Sequence, residues 1–344
     1  MAIKISVLDQ SPVYPGETCE AALAHTVELA QKAEELGFGR FWVSEHHDSS
    51  QVAGSSPEVL ISHLLAKTST IRIGSGGVML QHYSPYKVAE NFNVLATLAP
   101  GRVDLGIGRA PGGLPRSTQA LQRGGGDNET LTEKIAEVAQ HLGGGLAEDH
   151  PLAGLRATPL PLTAPQLYVL GASTGSAAIA AELGLPYVFS LFINGDEAQA
   201  AEAVQAYRDA FARYAREKAQ PGLKPEIIVA LSVVVADTEE EAAELAGSYK
   251  LVKIHLSSGK TLTVGTIEQA EEFARQSGEP YTIEELEPSV VKGTKETVRR
   301  KLLELQEACG VEEFVFTTNI QPFAKRLRSF ELLNEALAGV PAEA

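Results

Sequence analysis

The sequence predicts a (β/α)8 barrel, and three features carry that expectation. Eight short apolar runs rich in β-branched residues alternate with longer stretches of helical period. The runs read as near-continuous hydrophobics, as strands do when helices cover both faces of a parallel sheet. Polar or glycine-rich clusters follow four consecutive runs, the second to the fifth, where one rim of a barrel gathers its chemistry. An open doubly wound sheet gives similar local patterns and stands as the alternative.

The expected strands are "IKISVLD" (3–9), "RFWVSE" (40–45), "IRIGSG" (71–76), "RVDLGIGR" (102–109), "QLYVLG" (166–171), "PYVFSLF" (186–192), "EIIVALSVVVA" (226–236) and "EEFVFTTN" (312–319). Between the first two, "CEAALAHTVELAQKAEELGF" sets Leu23, Val27, Ala30 and Ala33 on one helical face, with Gly37 as the stop. "SSPEVLISHLLAKTS" offers Ser55 or Ser56 as a cap and Pro57 in the first turn. "SPYKVAENFNVLATLAPGR" repeats the device with Ser84, Pro85 and a Pro-Gly stop. Two stretches break the rhythm and read as insertions after strands four and seven. Residues 142–165 are rich in Gly, Pro and Leu without sustained period, and residues 250–292 contain a short helix of their own. A connection as long as the second often serves as a lid or substrate wall. The whole reads as a single domain over 1–340, ending in a frayed "AGVPAEA".

Composition narrows the function. The 344 residues are 44% hydrophobic, enough for a sizeable core, and carry a formal net charge of −15. That charge argues against a surface for nucleic acid or anionic lipid. Cys19 and Cys309 form no CxxC pattern, so neither a disulfide framework nor a cysteine-rich metal site is indicated. No apolar run approaches a membrane span, and "MAIKISVLDQ" lacks a signal-peptide core. A soluble cytoplasmic protein is the expectation.

Chemistry is expected at the strand ends. Glu45, His46, His47 and Asp48 close the second strand. Neighbouring strand side chains point to opposite faces, so at most one of the two histidines faces the barrel axis. For the same reason they do not form a paired metal-ligand set, and no metal is expected. A hydrogen-bonded turn is the plainer alternative. "GSGGVML" follows the third strand, and "GIGRAPG" after the fourth is a near miss to a dinucleotide motif. "LGASTGSAAIAAELGLP" ends a strand at Gly171 and opens a helix with Ser173, Thr174 and Ser176. Free N–H groups, a positive dipole end and several hydroxyls suit a phosphate monoester, with Arg109 able to supply a guanidinium fork. Ordinary capping explains the same serines.

Taken in order, "VSEHH", "IRIGSGGVMLQHYSPYKVAE", "LAPGRVDLGIGRAPGG" and "LGASTGSAAIAAELGLP" resemble the bacterial luciferase-like flavin monooxygenases. The resemblance covers residues 3 to about 193, returns at "FVFTTNIQPFAKRLRSFELL", and is weakest in the two insertions. It implies a barrel of the TIM type that binds FMN at its rim, and a homodimer packed through early helices. Reduced FMN from a separate flavin reductase would react with dioxygen and oxygenate a small organic substrate. His46 matches the family's active-site histidine. Gly76 and Gly77 match a place that often holds a non-prolyl cis peptide beneath the flavin ring. Arg109 and the loop Gly171, Ala172, Ser173, Gly175 and Ser176 match the phosphate site, and Asp48 or Glu45 would orient the imidazole. Gly108 stands where luciferase has a cysteine, so light emission is not expected. A deazaflavin- or FMN-dependent hydride-transfer reductase and a non-catalytic flavin-binding protein are the alternative readings.

Overall fold

The computed structural model describes residues 3–123, 129–220, 222–247 and 251–338. The two ends of the expected 1–340 unit, residue 250 of the second insertion and the tail from 339 lie outside them. The strands, in chain order, are β1 (Lys4–Asp9), β2 (Arg40–Val43), β3 (Arg72–Met79), β4 (Val103–Gly108), β5 (Gln166–Gly171), β6 (Tyr187–Ser190), β7 (Ile227–Val235), β8 (Leu251–Leu256), β9 (Thr261–Val264), β10 (Tyr281–Leu286), β11 (Val290–Gly293) and β12 (Glu313–Thr317). The runs expected from the sequence are β1 to β7 and β12. They pair in parallel in the cycle β7-β12-β1-β2-β3-β4-β5-β6 and back to β7, a closed (β/α)8 barrel rather than an open sheet. β11 adds to the far end of β7.

The helices form where capping chemistry and apolar period coincide. Helix Cys19–Glu35 is capped by Thr18 and released at Gly37, whose φ of 77° is the left-handed region that glycine adopts freely. Its buried face is Ala22, Thr26, Leu29, Ala30 and Ala33, rotated from the expected one. Leu23 and Val27, with Ala24, instead line a surface groove that Val59, Leu60 and His63 of the next helix complete. Thr26 displaces them because its Oγ1 donates a 2.5 Å hydrogen bond to Oδ2 of buried Asp9. A search for apolar period alone does not weigh such a bond. Ser56 occupies the cap position of helix Pro57–Lys67 without a side-chain capping bond, whereas Ser84 caps helix Pro85–Leu98 through Lys87 N–H.

Side chains facing the barrel axis fall into layers, as expected of closed barrels. At the N-terminal end Arg40 meets Asp104, Glu226 and Glu313, and Arg72 also pairs with Asp104. Trp42 Nε1 and Tyr168 Oη cap this network by donating to Asp104 and Glu226. Buried charges are tolerable because each is paired and hydrogen-bonded. Above them lies an apolar layer of Leu8, Trp42, Tyr168, Val188, Ile228, Ala230 and Val315. The network fills the N-terminal end of the barrel, and the loops that carry polar and glycine-rich groups leave from the C-terminal end.

The second insertion is more than a helix. β8, β9 and β10 form an antiparallel sheet that packs against helix Ile267–Ser277 over Val252, Ile254, Leu256, Ala270 and Ala274. Its central strand "LVKIHL" alternates between partly exposed and buried positions, the pattern of a sheet covered on one side only. This module leaves the barrel after β7, yet Gln269 Nε2 donates to Oε1 of Gln51 after β2 at 3.2 Å. The Arg116 N–H, after β4, donates to Oε1 of Gln276 at 3.0 Å. β7 and β3 are opposite in the cycle, so the module spans the mouth. The first insertion follows helix Leu131–Leu142 as a series of turns, anchored where Asn93 Nδ2 donates to the Ala157 carbonyl at 2.7 Å.

Candidate active site

The rim is built from the ends of β2 to β5. β2 ends at Val43, and beyond it the side chains pair at alternate positions, Ser44 with His46 and Glu45 with His47. Ser44 Oγ lies 2.9 Å from His46 Nδ1. Glu45 and His47 are joined at 2.7 Å. The expected orienting groups are thus corrected: Glu45 serves His47, and the side chain that holds His46 is Ser44. Asp48 is exposed with φ 53° and makes a turn. A serine one place before an acid and two histidines carries no distinctive sequence signal; only its shared parity with Trp42 and His46 does.

Glu45 is fully buried and satisfied. Besides His47 it accepts from Met79 N–H at 2.9 Å and Tyr83 Oη at 2.8 Å, tying the exit of β2 to the exit of β3. Burial first, and then the Glu45 carboxylate, holds the Tyr83 phenol protonated well above its ordinary pKa. The His47 N–H donates to the Gly112 carbonyl at 2.7 Å, and His82 Nε2 donates to the Pro111 carbonyl at 2.7 Å. The loop after β4 is therefore fastened over β2 and β3. Burial, reinforced by the neighbouring His47, lowers the His46 pKa below its ordinary value, with Glu45 opposing. At neutral pH the imidazole is uncharged.

Gly76-Gly77 is a cis peptide, and the β3–β4 register shifts between Gly76 and Val78. A Cβ on Gly76 would stand 2.7 Å from Leu8 Cδ1 and 3.3 Å from Trp42 Cβ. One on Gly77 would stand 2.7 Å from the Gly106 carbonyl oxygen. The barrel itself therefore demands glycine at Gly77, where the obstacle is the β4 main chain, and only disfavours a side chain at Gly76, where it is the end of Leu8. Beside Gly108, the Met79 thioether fills the space a side chain would enter, its Cε 3.0 Å from a built Cβ.

After β5, Ser173 caps helix Thr174–Glu182 in a reciprocal box with Ser176, whose Oγ also reaches the Ser173 carbonyl at 2.7 Å and Tyr187 Oη at 2.9 Å. A Cβ on Gly171 would overlap the Ser176 side chain. Asn194 Nδ2 donates to the Ala172 carbonyl at 3.0 Å and fixes the turn. Both serines thus do capping work, which leaves the N–H groups of exposed Thr174 and Gly175 for an outside acceptor. Arg109, at the end of β4, is exposed and makes no hydrogen bond or ion pair with the described residues. Free N–H donors, an uncommitted guanidinium and a neutral imidazole along one rim fit a phosphorylated, flat cofactor. Among the described residues no cluster of His, Cys, Asp and Glu could hold a metal ion, and no helix is long and apolar enough to cross a membrane.

Residues 1–312 match the family model of the luciferase-like monooxygenases, and the chain belongs to that family. An N-acetyl-S-alkylcysteine monooxygenase of Bacillus subtilis is 43% identical, the match covering 97% of this chain and 98% of that protein. A luciferase-like monooxygenase of Escherichia coli is 34% identical over 96% of each. Among solved structures, apo-MsnO8 superposes with a TM-score of 0.78 at 33% identity, over 98% of this chain and 99% of the other. The oxygenating constituent of 3,6-diketocamphane monooxygenase from Pseudomonas putida, solved with FMN, gives 0.70 at 20% identity over 99% of each, a likeness of fold alone. The chain is an oxidoreductase that incorporates molecular oxygen, which sets aside the non-catalytic reading.

Proposed function

We propose that the chain is an FMN-dependent monooxygenase that takes reduced FMN from a separate flavin reductase, acts in the cytoplasm and oxygenates a small organic thioether. The observation that carries this reading is the run of candidate groups along consecutive strand ends: His46 after β2, Gly76-Gly77 in β3, Arg109 after β4 and Ser173 after β5. Arg109 and the N–H groups of Thr174 and Gly175 would hold the phosphate, and the glycine pair would let the flat ring approach the backbone. His46, oriented by Ser44, gives or takes a proton at the reacting edge. The module across the mouth keeps water out. Bound reduced flavin supplies the electrons that activate dioxygen. Overall, one oxygen atom enters the substrate and the other leaves as water. The thioether class follows from the name of the Bacillus relative, whose match spans both insertions. The apolar groove between helices Cys19–Glu35 and Pro57–Lys67, where Val59 is 67% exposed, supports a homodimer.

Anaerobic titration with reduced FMN, followed by mixing with labelled dioxygen and N-acetyl-S-ethylcysteine, tests the proposal. Saturable binding and one labelled oxygen atom in the product are expected. Absence of FMN binding sinks the reading, and turnover without label moves it to hydride transfer.

A further inference from the structure

The half of the mouth made by β6, β7, β12 and β1 has a polar floor that the groups on β2 to β5 leave unexplained. Val315, Ile228, Ala230, Val188 and Leu8 lie in the interior layer, while Phe314 and Phe316 pack in the outer core. Positions two residues on share the inward side: Thr317 on β12, Ser232 on β7, Ser190 on β6 and Gln10 just past β1. Thr317 is only 4% exposed, and its Oγ1 has no hydrogen-bond partner among the described residues. Ser232, 7% exposed, is its register partner on the next strand. Just beyond, Asn319 Nδ2 donates to Gln10 Oε1 at 2.5 Å.

A hydroxyl buried without a partner is costly and is retained where something else completes the bond. All of these floor groups are neutral. A carboxylate or ammonium lowered among them would lose its hydration with no counter-ion to replace it. The neighbouring Asp9 is already engaged by Arg326 at 2.7 Å and by Thr26 at 2.5 Å. A neutral amide, which both donates and accepts, suits hydroxyls that do the same.

We propose that Thr317, with Ser232 beside it, is a specificity contact that hydrogen-bonds a neutral amide of the organic substrate. The assignment rests on the FMN reading above, which gives the β2–β5 half of the mouth to the cofactor. Thr317→Val keeps the shape and removes the hydroxyl, and Thr317→Ser restores it. Calorimetric titration of N-acetyl-S-ethylcysteine into the FMN-loaded protein should show binding weakened about five- to tenfold in Thr317→Val and within about twofold of wild type in Thr317→Ser. Equal binding by Thr317→Val and wild type, or no uptake of the probe by wild type, overturns the assignment. FMN affinity, read separately by flavin fluorescence, distinguishes the remaining outcomes. If Thr317→Val weakens FMN and not the probe, the hydroxyl serves the cofactor and the substrate assignment falls. If wild type fails to bind FMN, the cofactor reading falls, and the division of the mouth falls with it.

Discussion

Glu45 and His47 form a 2.7 Å hydrogen bond just past the end of β2, interleaved in sequence with the 2.9 Å pair of Ser44 and His46. The carboxylate is the knot of that arrangement, since it also holds Met79 and Tyr83. Glu45→Ala strands a buried main-chain N–H, a phenol and an imidazole at once. It should lower stability by about 3 kcal/mol, measured by urea unfolding. A loss under about 1 kcal/mol would show that the knot carries little stability.

His46 titrates in the folded protein below its ordinary value because burial disfavours the imidazolium. The unfolded chain therefore binds a proton first as the pH falls. The stability linked to neutral His46 is complete above the ordinary histidine value and is lost as the pH drops through the lowered one. His46→Gln should flatten the fall in unfolding free energy between pH 7 and pH 5 by up to one proton. Identical slopes in both proteins would disprove this. The same variant should retain FMN while turnover drops by about 10²- to 10⁴-fold.

Gly76 and Gly77 are crowded by different kinds of atom. An added methyl on Gly76 meets the end of the Leu8 side chain, whereas on Gly77 it meets the β4 main chain. Gly77→Ala should therefore cost about 3 kcal/mol and Gly76→Ala about 1 kcal/mol. Thermal melts of the two variants side by side give the order, and the reverse order would contradict the packing described.

Among the described residues Arg109 makes no hydrogen bond or ion pair whose loss would weaken the fold. Arg109→Ala should leave the melting temperature unchanged and weaken FMN by about tenfold or more. Riboflavin, lacking the phosphate, should bind both proteins alike. A matching loss for riboflavin would remove the arginine from the phosphate.

The barrel strands were legible because a strand buried on both faces must be apolar along its whole length, and runs such as Ile227–Val235 have few other uses. The rim loops were legible because glycine, histidine and hydroxyl residues interrupt such runs abruptly. Three things were not. The sheet of β8 to β10 is half-exposed, and its polar alternate positions hid it within an insertion. The helix face of Thr26 depends on a hydrogen bond to a residue 17 positions away. Ser44, Ser190, Ser232 and Thr317 are small polar residues at strand ends, and their inward direction emerges only once Trp42, Val188, Ala230 and Val315 are seen in one interior layer.

The module that crosses the mouth has its own small apolar cluster and, among the contacts described, grips the far rim through Gln269 and Gln276. A roof with an independent core can change its shape in evolution without disturbing the walls below. The same barrel can then be refitted for a different molecule by exchanging one contiguous stretch of chain, and a graft of residues 251–286 between relatives should carry substrate preference with it while the cofactor half stays as it is.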